Sequence, residues 1–179
     1  MKSSKPKKTA SAAKSKRASG RSTSASLSRK SKASVAASPT ETTGRPPRAV
    51  VGVVAPSAPA PLVELAIGAE RLQDAGFEVY LHPQVKKVEG LYAGSDAERA
   101  LAFLDYAFDP DLDVIWAARG GYGAIRILPI LDEIIAKVGK PEPKTLVGFS
   151  DLTILLEYVR ARWGWRTVHG PMPATFHIE

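Results

Sequence analysis

Cysteine does not occur anywhere in the 179 residues. That excludes disulfides, thiolate metal sites and a cysteine nucleophile, while leaving the redox compartment open. No apolar run approaches the ~20 residues of a membrane-spanning helix. No H-E-x-x-H or comparable ligand spacing is present, so neither a metal nor a cofactor is expected. Histidine is scarce: His82, His169 and His177 are the only three, which limits the bases available to any hydroxyl nucleophile. Acid is missing from one region. Residues 1 to 48 contain a single acidic residue, Glu41, against 13 Lys and Arg, whereas the remainder holds 12 basic and 17 acidic residues, a net of −5.

The first 48 residues also lack core-forming side chains, with Leu27 and Val35 standing alone in stretches such as "KKTASAAKSKRASGRSTSAS". Such a segment cannot offset its ordering entropy, so it is expected to be a disordered basic tail. The absence of an apolar core of about 7–15 residues argues against a secretory signal, and the high Lys content fits an organellar transit peptide poorly. A solvated spacer and a loose, salt-sensitive contact with an anionic partner such as nucleic acid are both open. No aromatic residue is interleaved to stack on bases.

From residue 49 onward apolar strands alternate with helices. "AVVGVVAP" (49 to 56) reads as a strand buried on both faces. Leu62, Leu65, Ala66, Ala69 and Leu72 give a helix face, with Gly76 placed to end it. "FEVYLHP" is the next strand. "SDAE" (95 to 98) is a capping box, and Ala97, Leu101, Leu104 and Phe108 are expected on the buried side of the helix it starts. "DVIWAA" and "KTLVGF" are strands; "DLTILLEYVRARWG" is a helix burying Leu152, Leu155, Leu156, Val159 and Trp163; "RTVHGP" is a further strand. Pro129 should kink or restart the helix in which it falls. The whole predicts an α/β domain with a doubly wound parallel sheet, whose working site lies beyond the carboxyl ends of the strands.

Three loops should converge there: "APSAPAP" with Ser57, "RGGYGA" (119 to 124) and "GFSD" (148 to 151). The glycines of "RGGYGA" allow close approach to the backbone, and amides opening the next helix favour negative charge, as in an oxyanion hole or phosphate cradle. A tight turn without chemistry is the other reading. A dinucleotide fingerprint fails, because Arg126 stands where the third glycine belongs. Ser150 resembles a nucleophile elbow, but Leu152 replaces the second glycine of G-x-S-x-G, and Ser150 or Asp151 capping the following helix is the commoner role. His169 precedes "GP" at a strand end, where it can face the crevice. Asp109, Asp111 and Asp113 flank Pro110 and read as a solvated turn.

"VGVVAPSAP", "YAGSDAERA", "DPDLDVIWAARGGYGAIRILPILD", "LVGFSDLTILL" and "VHGPM", in this order, closely resemble the N-terminal half of the LD-carboxypeptidases, the muramoyltetrapeptide carboxypeptidases and microcin-immunity proteins. The resemblance spans about residues 50 to 176. It implies a flavodoxin-like domain over 49 to 179 of a cytoplasmic serine peptidase that removes the terminal D-alanine of murein tetrapeptide, its Glu and His partners coming from a C-terminal domain not among these residues. Carried over, it implies an elbow of Gly120, Gly121, Tyr122 and Gly123 with the nucleophile position at Ala124, or one residue later at Ile125, while Ser150 and Asp151 match a family motif that is not the nucleophile. Ile125 and Gly94 are the expected oxyanion donors, and Ser57, Ser150, Asp151 and His169 are expected to line the crevice. On that reading the nucleophile is absent and the chain is inactive alone. A non-catalytic muropeptide binder and a domain tethered by its tail are the alternatives. The end "HGPMPATFHIE" is expected to pack on something further, so self-association is also anticipated.

Overall fold

The computed structural model describes residues 48–175; the basic segment, with its expected disorder and anionic partner, and His177 lie outside the described residues. Five strands and four helices alternate: β1 (Val50–Val54), α1 (Leu62–Asp74), β2 (Glu78–Leu81), α2 (Asp96–Phe108), β3 (Val114–Ala117), α3 (Ala124–Val138), β4 (Thr145–Gly148), α4 (Thr153–Trp163) and β5 (Arg166–His169). Short 3₁₀ turns occupy Pro83–Lys86, Ser150–Leu152 and Pro173–Thr175. Every strand pair is parallel and the sheet order is β2-β1-β3-β4-β5, the flavodoxin-like arrangement.

β1 shows why the alternation of strands and helices produces this fold. Val51 and Val53 pack with Leu65 of α1 and with Phe77, whereas Val54 packs with Phe103 of α2 and Ile115 of β3. A strand covered on both faces has no solvent side to pattern, hence its unbroken run of small β-branched residues. The larger core lies on the α2–α3–α4 side, where Phe103 is fully buried and its ring stacks on Trp163 at 5.8 Å. The edge strands β2 and β5 are mostly exposed.

Three expectations need correction. In α1, Leu65, Ala69 and Leu72 are buried with Gly68, but Leu62 and Ala66 are exposed. In α2 the buried face is Arg99, Ala100, Phe103, Leu104 and Ala107; Ala97, Leu101 and Phe108 point outward. Both stripes have helical spacing, and alanines make the true one inconspicuous beside leucine and phenylalanine. Finally, α3 runs continuously from Ala124 to Val138 through Pro129 without restarting. The capping box is present as expected: Glu98 N–H donates to Ser95 Oγ at 3.2 Å and Ser95 N–H to Glu98 Oε2 at 2.9 Å. All five residues expected on the last helix are buried, Leu152 in the 3₁₀ turn before α4 and the other four in α4.

Candidate functional site

The loops after β1, β3 and β4 do converge beyond the carboxyl ends of their strands. One carboxylate oxygen joins them: Asp151 Oδ2 accepts from Ser57 Oγ at 2.6 Å and from the Ala124 amide at 2.9 Å. Ser57 Oγ also lies 3.1 Å from the Tyr122 carbonyl, and the Ala58 amide donates to Gly120 O at 3.4 Å. Asp151 therefore caps α3 rather than its own helix, because α4 has no side-chain cap at its start. A carboxylate at the first turn of a helix complements the unpaired amides there.

On the other side of the same loops lies Arg99, fully buried. Its Nη1 donates to Pro56 O at 2.7 Å and Gly123 O at 2.8 Å, its Nε donates to Gly94 O at 3.2 Å, and its Nη2 pairs with Asp96. The guanidinium also lies 5.0 Å from the Tyr92 ring centroid. A buried arginine is tolerated only with its donors matched. Here it cross-links three loops through their carbonyls. Gln84, also buried, does the same at smaller scale, donating to Ala55 O at 2.9 Å and accepting from Ala55 N at 3.1 Å.

Ser150 has φ +61°, and it is the one non-glycine with positive φ among the described residues. For an L-residue the left-handed region costs roughly 1–2 kcal/mol. The side chain is exposed, at the bend where β4, a central strand, passes into a helix. Gly120 lies directly against it: a Cβ on Gly120 would stand 3.0 Å from Ser150 Cβ and 3.2 Å from its Oγ. The amides of Gly120 and Gly121 carry no hydrogen bond among the described residues. Phe149 and His169 meet edge-on at 6.2 Å and, with Gly170, Pro171 and Thr175, line an open groove of about 320 Å³ beginning one residue from Ser150.

The position expected to carry the nucleophile lacks this geometry. Ala124 is the fully buried first residue of α3, and its amide is committed to Asp151. Ile125 is an exposed residue of the same first turn. Gly94 has its carbonyl on Arg99, and a Cβ on it would meet Glu98 and Lys87. Ser57 is fully buried and engaged with Asp151, so it does not line an open crevice. Tyr122 is exposed and contributes its carbonyl, while Gly121 and Gly123 supply positive φ. His169 is exposed at the end of β5. His82 is structural, its Nδ1 accepting from Gln84 N at 3.1 Å and its ring edge-on to Tyr106.

Charge beside the site is paired. Hydrogen bonding from Arg126, together with the nearby Arg99, holds the Asp96 carboxyl below the usual carboxylate range against an opposing desolvation. Among the described residues no group of three His, Asp or Glu side chains could hold a metal ion. No helix among them is long and apolar enough to cross a membrane.

A strained, exposed serine on a strand-to-helix bend of a parallel α/β sheet is the geometry of a nucleophile elbow. Residues 51–170 match the LD-carboxypeptidase N-terminal domain, and the chain belongs to that family. A Streptomyces coelicolor protein with a carboxypeptidase name is 40% identical over 72% of this chain and 42% of its own length. The murein tetrapeptide carboxypeptidase of Pseudomonas aeruginosa is 34% identical over 68% of this chain and 39% of its own. Among solved structures, microcin C7 self-immunity protein MccF in complex with glutamyl sulfamoyl guanosine superposes with a TM-score of 0.62 at 31% identity, covering 70% of this chain and 38% of that one. Another MccF structure is an active-site mutant in which a serine, an asparagine and a lysine are changed to alanine. The chain thus spans about two-fifths of the length of the curated relatives it matches.

Proposed function

We propose that this domain is the nucleophile-bearing part of an LD-carboxypeptidase-type serine hydrolase, with Ser150 rather than Ala124 as the attacking group. The carrying observation is the left-handed backbone of an exposed serine packed against Gly120. A serine in the active site of a structural relative supports it. Ser150 Oγ attacks the scissile carbonyl, and the oxyanion is received by the Asp151 amide and by the unbonded amides of the Gly120–Gly121 bend. Collapse expels the amine and leaves an ester on Ser150, which water hydrolyses. The murein tetrapeptide activity of the Pseudomonas relative points to a peptide ending in a D-amino acid as the substrate class.

Among the described residues no side chain hydrogen-bonds Ser150 Oγ, and His169 is the histidine on the groove beside it. The resemblance implies a Glu–His pair outside the N-terminal half of the family fold. Slow or absent turnover by these 179 residues alone is the consequence, because oxyanion donors and binding retain only about 10³–10⁴ of a triad's acceleration. A murein-peptide binder without turnover is the second reading, for which the lack of a hydrogen-bonded base on Ser150 Oγ among the described residues speaks.

The test is labelling with a fluorophosphonate, mapped by mass spectrometry. Ser150 should be modified faster in the folded chain than the same serine in urea, and Ser150→Ala should remove the adduct. Equal rates folded and unfolded, or a folded-state adduct at another serine, would overturn the assignment.

A further inference from the structure

The Gly123–Ala124 peptide unit is held at both ends by charged groups. Its carbonyl accepts from Arg99 Nη1 at 2.8 Å, and its N–H donates to Asp151 Oδ2 at 2.9 Å. The Pro56–Ser57 segment is held in the same way: the Pro56 carbonyl accepts from the same Nη1 at 2.7 Å, and the Ser57 hydroxyl donates to the same Oδ2 at 2.6 Å. Two loops from different strands are therefore strung in parallel between one buried cation and one carboxylate. A peptide group placed this way is polarised by both charges, and hydrogen bonds to ionised groups are the stronger and more directional kind. Asp151 is the neighbour of Ser150, so whatever fixes this carboxylate restricts the backbone of the strained serine.

We propose that Arg99 and Asp151 are a positioning pair that holds Ser150 in its left-handed conformation by gripping the Gly123–Ala124 and Pro56–Ser57 segments from opposite sides. Neither side chain touches substrate. Arg99 acts from the buried face of α2 through the two loops, and Asp151 transmits that fixation to the bend after β4. The pair also explains why the α3 N-terminus, although it follows a glycine-rich turn, is not the anion receptacle: the Asp151 carboxylate already occupies it. The consequence for chemistry rests on the reading of Ser150 as nucleophile, but the positioning itself is a statement about backbone geometry.

The test reads geometry and not reactivity, so it can fail independently of the labelling experiment. In the isotopically labelled full chain, the Ser150 Cα and Cβ resonances should carry left-handed values. Asp151→Ala should abolish that signature while amides of β1, β3 and β4 keep their positions. Asp151→Asn, which retains an acceptor oxygen, should rescue it in large part. Arg99→Lys should displace the Ser150 amide resonance in the parent background but not in Asp151→Ala. Unchanged Ser150 resonances in folded Asp151→Ala, or an Arg99→Lys displacement of the same size in both backgrounds, would overturn the proposal. Should Asp151→Ala not fold, Ser57→Ala deletes one bond to the same oxygen at little cost in volume. It must then move Ser150 in the direction of lost left-handed character, and an unmoved Ser150 there is equally decisive against the pair.

Discussion

Two bends leave the carboxyl edge of the sheet side by side, and they solve the same turning problem in opposite ways. Between β3 and α3 positive φ falls on Gly121 at +126° and Gly123 at +104°, where no side chain objects. Between β4 and α4 it falls on Ser150 at +61°. The first bend is relaxed and close-packed: a Cβ on Gly121 would stand 2.4 Å from Ala58 Cβ, and one on Gly123 would stand 2.7 Å from the Tyr92 ring. It presents backbone. The second spends conformational energy to present a hydroxyl. The difference teaches that a run of glycines marks where the chain avoids strain, whereas at Ser150 strain is accepted and over-determined by the surroundings.

The sharpest way to break this comparison is to put a side chain on the relaxed bend. Gly121→Ala meets both an unfavourable φ and a contact that Ala58 cannot yield, so a loss of about 2–4 kcal/mol is expected in urea unfolding. A loss below about 1 kcal/mol would mean that close approach does not shape this bend. Arg99→Met should follow at about 2–4 kcal/mol, since it leaves the Pro56, Gly94 and Gly123 carbonyls without their donor in a buried site. Retained stability in that variant would show that water readily replaces the guanidinium. Gly120→Ala is aimed at the junction between the bends. It should cost little stability, yet lower Ser150 labelling by roughly tenfold or more, because a sub-ångström displacement of a nucleophile is felt in its rate.

The sheet order and the convergence of three loops were legible because both follow from strand–helix alternation and the rule for open parallel sheets. Arg99 was hidden by the choice of the wrong α2 stripe. The stripe through Ala100, Phe103 and Ala107 carries an arginine, which reads as a solvent position until its four partners are seen. The convergence of the loops was legible as a place, but the strained residue within it was not. "RGGYGA" and "GFSD" are both visible, and the family resemblance, not the residues themselves, puts the nucleophile position on the former. Nothing in "GFSD" discloses that Ser150 has positive φ, because that angle is imposed by the loops around it. Likewise Asp151 caps a helix that begins 27 residues earlier, a tertiary bond without a local signature.

Acid titration sharpens the comparison from its charged side. The folded-state pKa of Asp96 lies below its unfolded value of about 4. Its ionised form therefore contributes stability at neutral pH, and that contribution is lost as pH falls through the folded-state value. Arg126→Gln should flatten part of the acid limb of a stability–pH curve below about pH 4. Stability at pH 7 should fall by the same small amount, small because Arg126 is more than half exposed and its ion pair is screened by solvent. An unchanged acid limb would remove Asp96 from the stability of this corner.

The smallest expected effect has the opposite sign. Ser150→Gly relieves the left-handed penalty of roughly 1–2 kcal/mol and gives back about 0.5–1 kcal/mol through the entropy of the unfolded chain. The net is a domain as stable as the parent or more stable by about 1 kcal/mol, measured as an unchanged or raised melting temperature. Substituting glycine for a serine in a relaxed conformation lacks the first of these terms and can only destabilise through the second. A clear loss of stability in Ser150→Gly would therefore mean that the serine side chain supports the fold. It would then no longer stand out as a group held in place at the fold's expense.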